Sequence, residues 1–385
     1  MRDPVLLMAV NGIPGLRWRE RIAVVEAAGD AGSFARFTAG DVERLAGRAL
    51  RNLSWDAGEL LVRAEGSVRC ARARGVRIFS YRDGEYPLRL REIENPPFLL
   101  FARGELPVWD SAFLGIVGTR HPSAAGQRAA RELGREAAER GIVVVSGLAQ
   151  GIDAEAHAGA LEGSGGTVAV LGNGADTVYP ASNKRLAARI LDAGGLLLTE
   201  FGPGEGVRKF HFPARNRIIS GLSGAVVVTE APEKSGSLIT AAYAKEQGRR
   251  VFVDARALGG EGGGGTLRLA AAGAAAIASL DGVLALWDGG VPAGAGVNGG
   301  LKDGLKDGLK DGLKDGLNGR RGGGRSGGEI FSHGEGLFRE GDAGGPGKDT
   351  AEGLHSGGLS APGEALAALL ERELAGGLPA ARETI

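Results

Sequence analysis

Between residues 111 and 288 the chain alternates short apolar runs with longer stretches of helical periodicity. The runs cover 113–117, 142–146, 167–171, 196–200, 225–229 and 250–254, and are built mostly from Val, Leu, Ile, Phe and Ala. Helix-length segments separate most of them, among them 124–140, 183–193 and 238–247. Residues that are apolar in succession, rather than alternately, belong to strands buried on both faces. That is the condition of a parallel sheet covered by helices. The pattern predicts an α/β domain over 111–288 with a doubly wound, mainly parallel sheet. Such sheets place their ligands outside the carboxyl ends of the strands, so the loop after each run is where chemistry is expected.

The flanks read differently. Residues 1–80 have the pattern of short helices and are expected to form a small helical domain, with 81–110 as a connector. The apolar run 5–10 leads into Asn11-Gly12-Ile13-Pro14-Gly15-Leu16 and then a helical pattern through Ala28. A Gly-x-Pro-Gly turn between two short helices has the shape of a helix-hairpin-helix, whose backbone amides can face a phosphate; it also serves as a plain tight connection. The proline-punctuated stretch Asn95-Pro96-Pro97-Phe98-Leu99-Leu100-Phe101 suits a connector or an edge strand. Beyond 289 a Leu-Lys-Asp-Gly unit repeats from Leu301 to Gly316. A glycine in every copy costs about 1 kcal/mol within a helix, and the repeat buries too little to fold alone. Residues 289–360 are therefore expected to be a flexible, Gly-rich linker, followed by a possible single short helix within 361–385.

Composition changes this picture in three ways. Glycine accounts for 69 of 385 residues, more than twice the usual share of about 7%, divided between the central loops and the tail. Lys plus Arg and Asp plus Glu balance at 46 each, so overall charge does not announce a polyanion, although a local basic groove remains compatible with it. The single cysteine, Cys70, rules out a disulfide framework within the chain and suits a reducing cytosol. The N-terminus lacks the order of a signal peptide, and no apolar run approaches the roughly 20 residues that span a bilayer. The expected setting is cytoplasmic, with no membrane partner.

The loops carry the candidate chemistry. After the first run come Gly118-Thr119-Arg120 and Ser123, a helix start that favours an anion with a guanidinium beside it. The spacing is neither Gly-x-Gly-x-x-Gly nor a Walker A loop, so a nicotinamide or ATP cofactor is not expected. The second run enters Ser146-Gly147-Leu148-Ala149-Gln150-Gly151-Ile152-Asp153, with His157 four residues on. Asp153 and His157 share a helix face. They form either an acid–base pair or half a metal site, or else a helix cap and its orienting partner; no further His or carboxylate cluster completes a metal set. The third run leads to Gly172-Asn173-Gly174, then Tyr179, which can stack on a base, and Lys184, which can meet a phosphate. The fourth leads to Arg208-Lys209-Phe210-His211-Phe212-Pro213-Ala214-Arg215-Asn216-Arg217. Cations interleaved with rings suit a nucleic-acid strand, although Arg215 and Arg217 cannot both face the same way on a helix, so one is open to an ion-pair role. The fifth gives Ser235-Gly236-Ser237, another helix start that favours an anion.

Taken in order, these motifs resemble the DNA-processing protein A (DprA, or Smf) family. The carriers are Gly-Thr-Arg, Ser-Gly-Leu-Ala-Gln-Gly-Ile-Asp with its His, Val-Leu-Gly-Asn-Gly-Ala-Asp with Tyr-Pro and Asn, Phe-Pro-Ala-Arg-Asn-Arg-Ile-Ile-Ser-Gly-Leu, and Ser-Gly-Ser-Leu-Ile-Thr. The resemblance implies an extended Rossmann-like domain behind a helical domain of sterile-alpha-motif type. It also implies binding of single-stranded DNA during natural transformation or recombination, loading of RecA recombinase, a homodimer and no catalysis. On that basis Arg120 and Lys184 lead the expected DNA contacts, supported by Arg215 and Arg217, with Gly118, Ser146, Gly147, Tyr179, Phe210, Ser235, Gly236 and Ser237 around them. Two departures stand out: Asp254-Ala255 where the family has Pro-Gly, and Gly265-Thr266-Leu267 where it has Gly-Ser/Thr-Asn. The competing expectation is a nucleotide-processing enzyme of the lysine-decarboxylase-like (phosphoribohydrolase) Rossmann group, whose Pro-Gly-Gly-x-Gly-Thr loop is missing from this sequence. A third is a scaffold that tethers a docking helix.

Overall fold

The computed structural model describes residues 3–287, apart from 52, 164, 165 and 259–261; the expected linker over 289–360 and the short helix within 361–385 lie outside them. Five helices come first: α1 (Pro4–Asn11), α2 (Trp18–Ala28), α3 (Ala31–Phe34), α4 (Ala39–Ala46) and α5 (Ala57–Ala73). Side-chain caps mark several of their starts, such as Asp3 on α1, Thr38 with Asp41 on α4 and Asp56 on α5. The Gly12–Gly15 turn closes on itself: the Gly12 amide donates to the Met8 and Ala9 carbonyls, and Ile13 is buried completely.

The rest alternates. In order come β1 (Arg77–Ser80), α6 (Leu88–Arg91), β2 (Leu99–Gly104), β3 (Phe113–Val117), α7 (Ala124–Glu139), β4 (Val143–Ser146), α8 (Ile152–Ala160), β5 (Thr167–Val170), α9 (Lys184–Asp192) and β6 (Leu196–Thr199). They are followed by α10 (His211–Leu222), β7 (Ala225–Val228), α11 (Gly236–Glu246), β8 (Arg250–Asp254), α12 (Gly264–Ala271), β9 (Ala275–Ile277) and α13 (Leu280–Leu286). One sheet holds nine described strands in the order β1-β2-β6-β5-β4-β3-β7-β8-β9. β3 to β9 run parallel, and β2 and β1 join antiparallel at the β6 edge. The sheet is Rossmann-like and doubly wound, as the apolar pattern predicts.

The expected connector over 81–110 is therefore part of the sheet. β2 lies between β1 and β6, with Phe101 opposite Thr199 and Leu100 opposite Phe79. Its side chains alternate, as a strand's must. Leu99 and Phe101 pack into the core of α1 to α5, while Leu100 and Ala102 pack into the core between sheet and helices. One strand thus closes both cores.

Candidate nucleic-acid interface

Three loops meet over the carboxyl ends of β4, β5 and β6. After β4 the chain turns sharply, with Leu148 at φ 55° and Gly151 at φ 78°. Buried charges beneath hold the turn. Asp153 accepts from the Gly147 amide at 3.0 Å, and Arg215 donates to the Gly147 carbonyl at 2.7 Å and also to the Val170 carbonyl. A Cβ on Gly147 would stand 2.5 Å from the Arg215 guanidinium, so any larger residue would push the guanidinium off its carbonyl partners. Burial pulls the Arg215 pKa down to about 10, against the opposing pull of Asp153 and with Arg120 adding repulsion. Burial pushes the Asp153 carboxyl up, opposed by Arg215 and by the amides of Gly147 and Ala149.

His157 lies one turn further on and is fully buried. The Thr167 hydroxyl donates to the Val144 carbonyl at 2.8 Å, so it accepts from His157 Nδ1, also at 2.8 Å. Burial drops the His157 pKa to about 3, with Arg215 adding to the fall. Of the two readings open for Asp153 and His157, the geometry favours a structural role, but not the expected helix cap: α8 is capped by Gly151 with no side-chain bond, and Asp153 turns back to the Gly147 amide. Asp153 holds the loop and His157 ties α8 to β5, and no group of three metal-ligating side chains occurs among the described residues. Ser146 is likewise structural, its Oγ donating to the Ile116 carbonyl at 2.6 Å.

The loop after β5 is stapled to this turn. Asn183 Nδ2 donates to the Leu148 and Ala149 carbonyls at 3.0 and 3.1 Å, and Gln150 Nε2 lies 3.2 Å from Ser182 Oγ. The staple places Lys184, exposed at the first position of α9, beside the β4 loop. Arg120 approaches the same loop from β3, since the Thr119 and Arg120 backbone packs against Gly151. Phe212, in the first turn of α10, lies beside Arg120 and Tyr179. The Arg120 guanidinium sits 5.4 Å from its ring centre and the Tyr179 ring 5.7 Å away, and a Cβ on Gly172 would touch it at 3.1 Å. Tyr179 and Phe210 are 44% and 47% exposed, far more than rings that serve only packing. Beneath Phe210, His211 stacks on Phe201 at 3.8 Å, and its Nδ1 donates to the Gly172 carbonyl at 3.1 Å.

Arg131, Arg217 and Arg256 are ion-paired. Exposed cations without an ion pair occur in several places, among them Arg19, Arg72, Arg128, Arg189 and Lys245, and one group of them comprises Arg120, Lys184, Arg185, Arg208, Lys209 and Lys234. All six follow β3, β5, β6 or β7 at the strands' carboxyl ends or in the first turn of the next helix.

The arginines of α10 have other tasks. Arg217 grips Glu200 with two bonds of 2.6 Å and donates to the Asn95 carbonyl at 2.9 Å. Burial works against its charge, and Glu200 more than offsets this, leaving its pKa raised. Of the two arginines, it is Arg217 that takes the ion-pair role left open in the sequence. Ser235 caps α11 by accepting from the Ser237 amide at 3.3 Å, and the Gly236 carbonyl accepts from Asn216 at 3.1 Å. These three sit at the start of α11. Gly118 is set by packing, since a Cβ would stand 2.5 Å from Ile152.

One expectation is corrected outright. The anion at the start of α7 is not an external phosphate but the Glu230 carboxylate, which accepts from the Ser123 amide at 3.0 Å. Sequence reasoning missed Glu230 and the central place of Phe212. Its only signal for Phe212 was the aromatic–cation stretch itself. The departure at Asp254 has a structural answer: Asp254 ends β8 and holds Arg256 at 2.8 Å, and Arg256 in turn reaches Glu132 at 3.0 Å. Leu267, where the family has asparagine, is 46% exposed on α12.

The family model for DNA recombination-mediator protein A matches residues 77–288, from the first strand to the end of the described helices. The chain belongs to that family. DNA processing protein DprA of Bacillus subtilis is 42% identical over 211 residues, covering 54% of this chain and 71% of that protein. Its counterpart in Streptococcus pneumoniae is 48% identical over 174 residues, 45% of this chain and 61% of the relative. With Protein Smf of Synechocystis the match spans 44% of each chain, so much of some relatives' length has no counterpart in the alignment. The X-ray structure of the Streptococcus pneumoniae protein covers 75% of this chain and 99% of its own, with a TM-score of 0.60 at 35% identity.

Proposed function

We propose that this chain binds single-stranded DNA over the carboxyl ends of β3 to β6 and hands it to RecA recombinase, as a cytoplasmic homodimer acting in DNA uptake or recombination. The observation that carries the reading is the set of unpaired cations interleaved with exposed rings: Arg120 over Phe212, Tyr179 beside it, Lys184 across the β4 loop, and Arg208, Lys209 and Phe210 beyond. Cations neutralise phosphates and rings stack on bases whose faces are free, which favours a single strand over a duplex. Arg215 and Arg217 support the surface from below rather than touching the strand. The family's description as a recombination mediator supports the recombinase as the recipient.

Titration with single-stranded oligonucleotide at several salt concentrations tests it. Arg120→Ala and Lys184→Ala should each weaken binding to all sequences alike and reduce the salt slope by about 0.7, the single-strand value per phosphate. If both variants stay folded and keep the parent affinity and slope, the strand does not lie here.

A further inference from the structure

From β3 the chain moves to β4 on one side and returns through β7 on the other, so the crevice between the ends of β3 and β7 is the sheet's topological switch point. Doubly wound sheets seat nucleotide phosphates there, against the turn after the central strand and the start of the following helix. In this protein the seat holds a side chain. Glu230, two residues beyond β7, is 1% exposed. Its Oε2 accepts from the Ser123 amide at 3.0 Å and from Ser123 Oγ at 2.9 Å, and Ser123 is the N-cap of α7. The Glu230 carbonyl accepts from the Thr119 amide at 2.7 Å, which draws its backbone onto the turn itself.

Three glycines make room for it. A Cβ on Gly118 would stand 2.7 Å from the Glu230 carbonyl, one on Gly126 would overlap Oε2, and one on Gly262 would stand 2.5 Å from Oε1. A nucleotide-binding sheet uses glycines at this turn to admit a phosphate; here Gly118 admits the Glu230 backbone, and Gly126 and Gly262 admit its carboxylate. An incoming phosphate would have to displace Glu230 and leave a buried charge without its donors, which is strongly unfavourable.

We propose that Glu230 is a specificity-determining residue: its carboxylate fills the fold's own phosphate seat and excludes mononucleotides and dinucleotides from the crevice. The inference stands on these contacts and on the sheet's topology, and needs nothing from the strand-binding reading.

The amide NMR signals of Ser123 and Gly126 report on the seat directly. Titrated with inorganic phosphate and then with AMP, the parent protein should leave both unmoved. In Glu230→Ala both should shift, with an apparent affinity at this seat about tenfold or more above the parent's, the scale of a charge at a helix terminus. Glu230→Ser, which also empties the seat but keeps a polar side chain at the buried position, should show the same gain and replaces the alanine variant if that one does not fold. Movement of the two signals in the parent protein, or a folded Glu230 variant that gains nothing, overturns the proposal. The oligonucleotide titration of Arg120→Ala is read separately, so failure of the strand reading is distinguishable from failure here.

Discussion

Arg215 shows how a motif residue can be decisive without touching a ligand. Its guanidinium satisfies the Gly147 and Val170 carbonyls at the ends of two strands, in a space that glycine at 147 leaves open. The charge beneath the loop also bears on His157, whose folded pKa of about 3 lies well below its ordinary 6.5. The unfolded chain takes up a proton there between those two values while the native protein does not. Stability from this residue is therefore full above about pH 6.5 and falls as the pH drops towards 3. Between pH 6.5 and 5 the loss should come to about 1.6 kcal/mol, the slope rising from half to nearly the full value of about 1.4 kcal/mol per pH unit over that interval. Urea unfolding of the parent protein and of His157→Gln at both pH values checks this. The variant starts less stable but should lose less on acidification, and Asp153, present in both proteins, cancels in the comparison. Equal losses in the two proteins would place the proton elsewhere. The motif residues were legible in the sequence as a group, but their division of labour was not. Whether a guanidinium meets a carbonyl, a carboxylate or solvent depends on what the fold brings beside it from far along the chain, as Glu230 does for Ser123 across 107 positions.

At the scale of elements, the six apolar runs of the α/β domain are strands to within a residue at each end, because runs this short and rich in β-branched and aliphatic residues suit a doubly covered sheet better than a buried helix. β1 and β2 were harder to read. β2 was expected as a connector or edge strand, because Pro96 and Pro97 precede it and its apolar residues continue that stretch. Yet those residues divide between two cores, with Phe101 fully buried on the side of α1 to α5. Phe101→Ala would open a cavity at that junction and should cost about 3–5 kcal/mol. Because β2 also carries the ladder to β6, the variant should melt in one transition shifted downward as a whole. Two separated transitions, with only the helical part moved, would show that β2 does not couple the cores.

The whole molecule is neutral, but its charge is divided along the chain. Residues 288–385 hold 11 Lys and Arg against 15 Asp and Glu, leaving 35 and 31 for residues 1–287. The half that carries the candidate surface is thus basic on balance, a fact that the total of 46 against 46 conceals. Every cation and ring assigned to the strand lies between Arg120 and Lys234. The segment beyond 288 offers repeats of Leu-Lys-Asp-Gly, whose charges alternate in sign and can build no continuous basic track. Removing residues 290–385 should therefore leave single-strand affinity unchanged at moderate salt. At low salt it should tighten binding slightly, because a net acidic segment no longer competes with DNA for the cations and screening no longer hides the difference. Side-by-side titrations of the full chain and of residues 1–289 at low and moderate salt read both effects. A loss of about a hundredfold, roughly 2.7 kcal/mol, would mean that the segment contributes directly to the site. A small gain that vanishes as salt rises is the signature of long-range charge alone, and it would locate the binding surface wholly on the folded sheet.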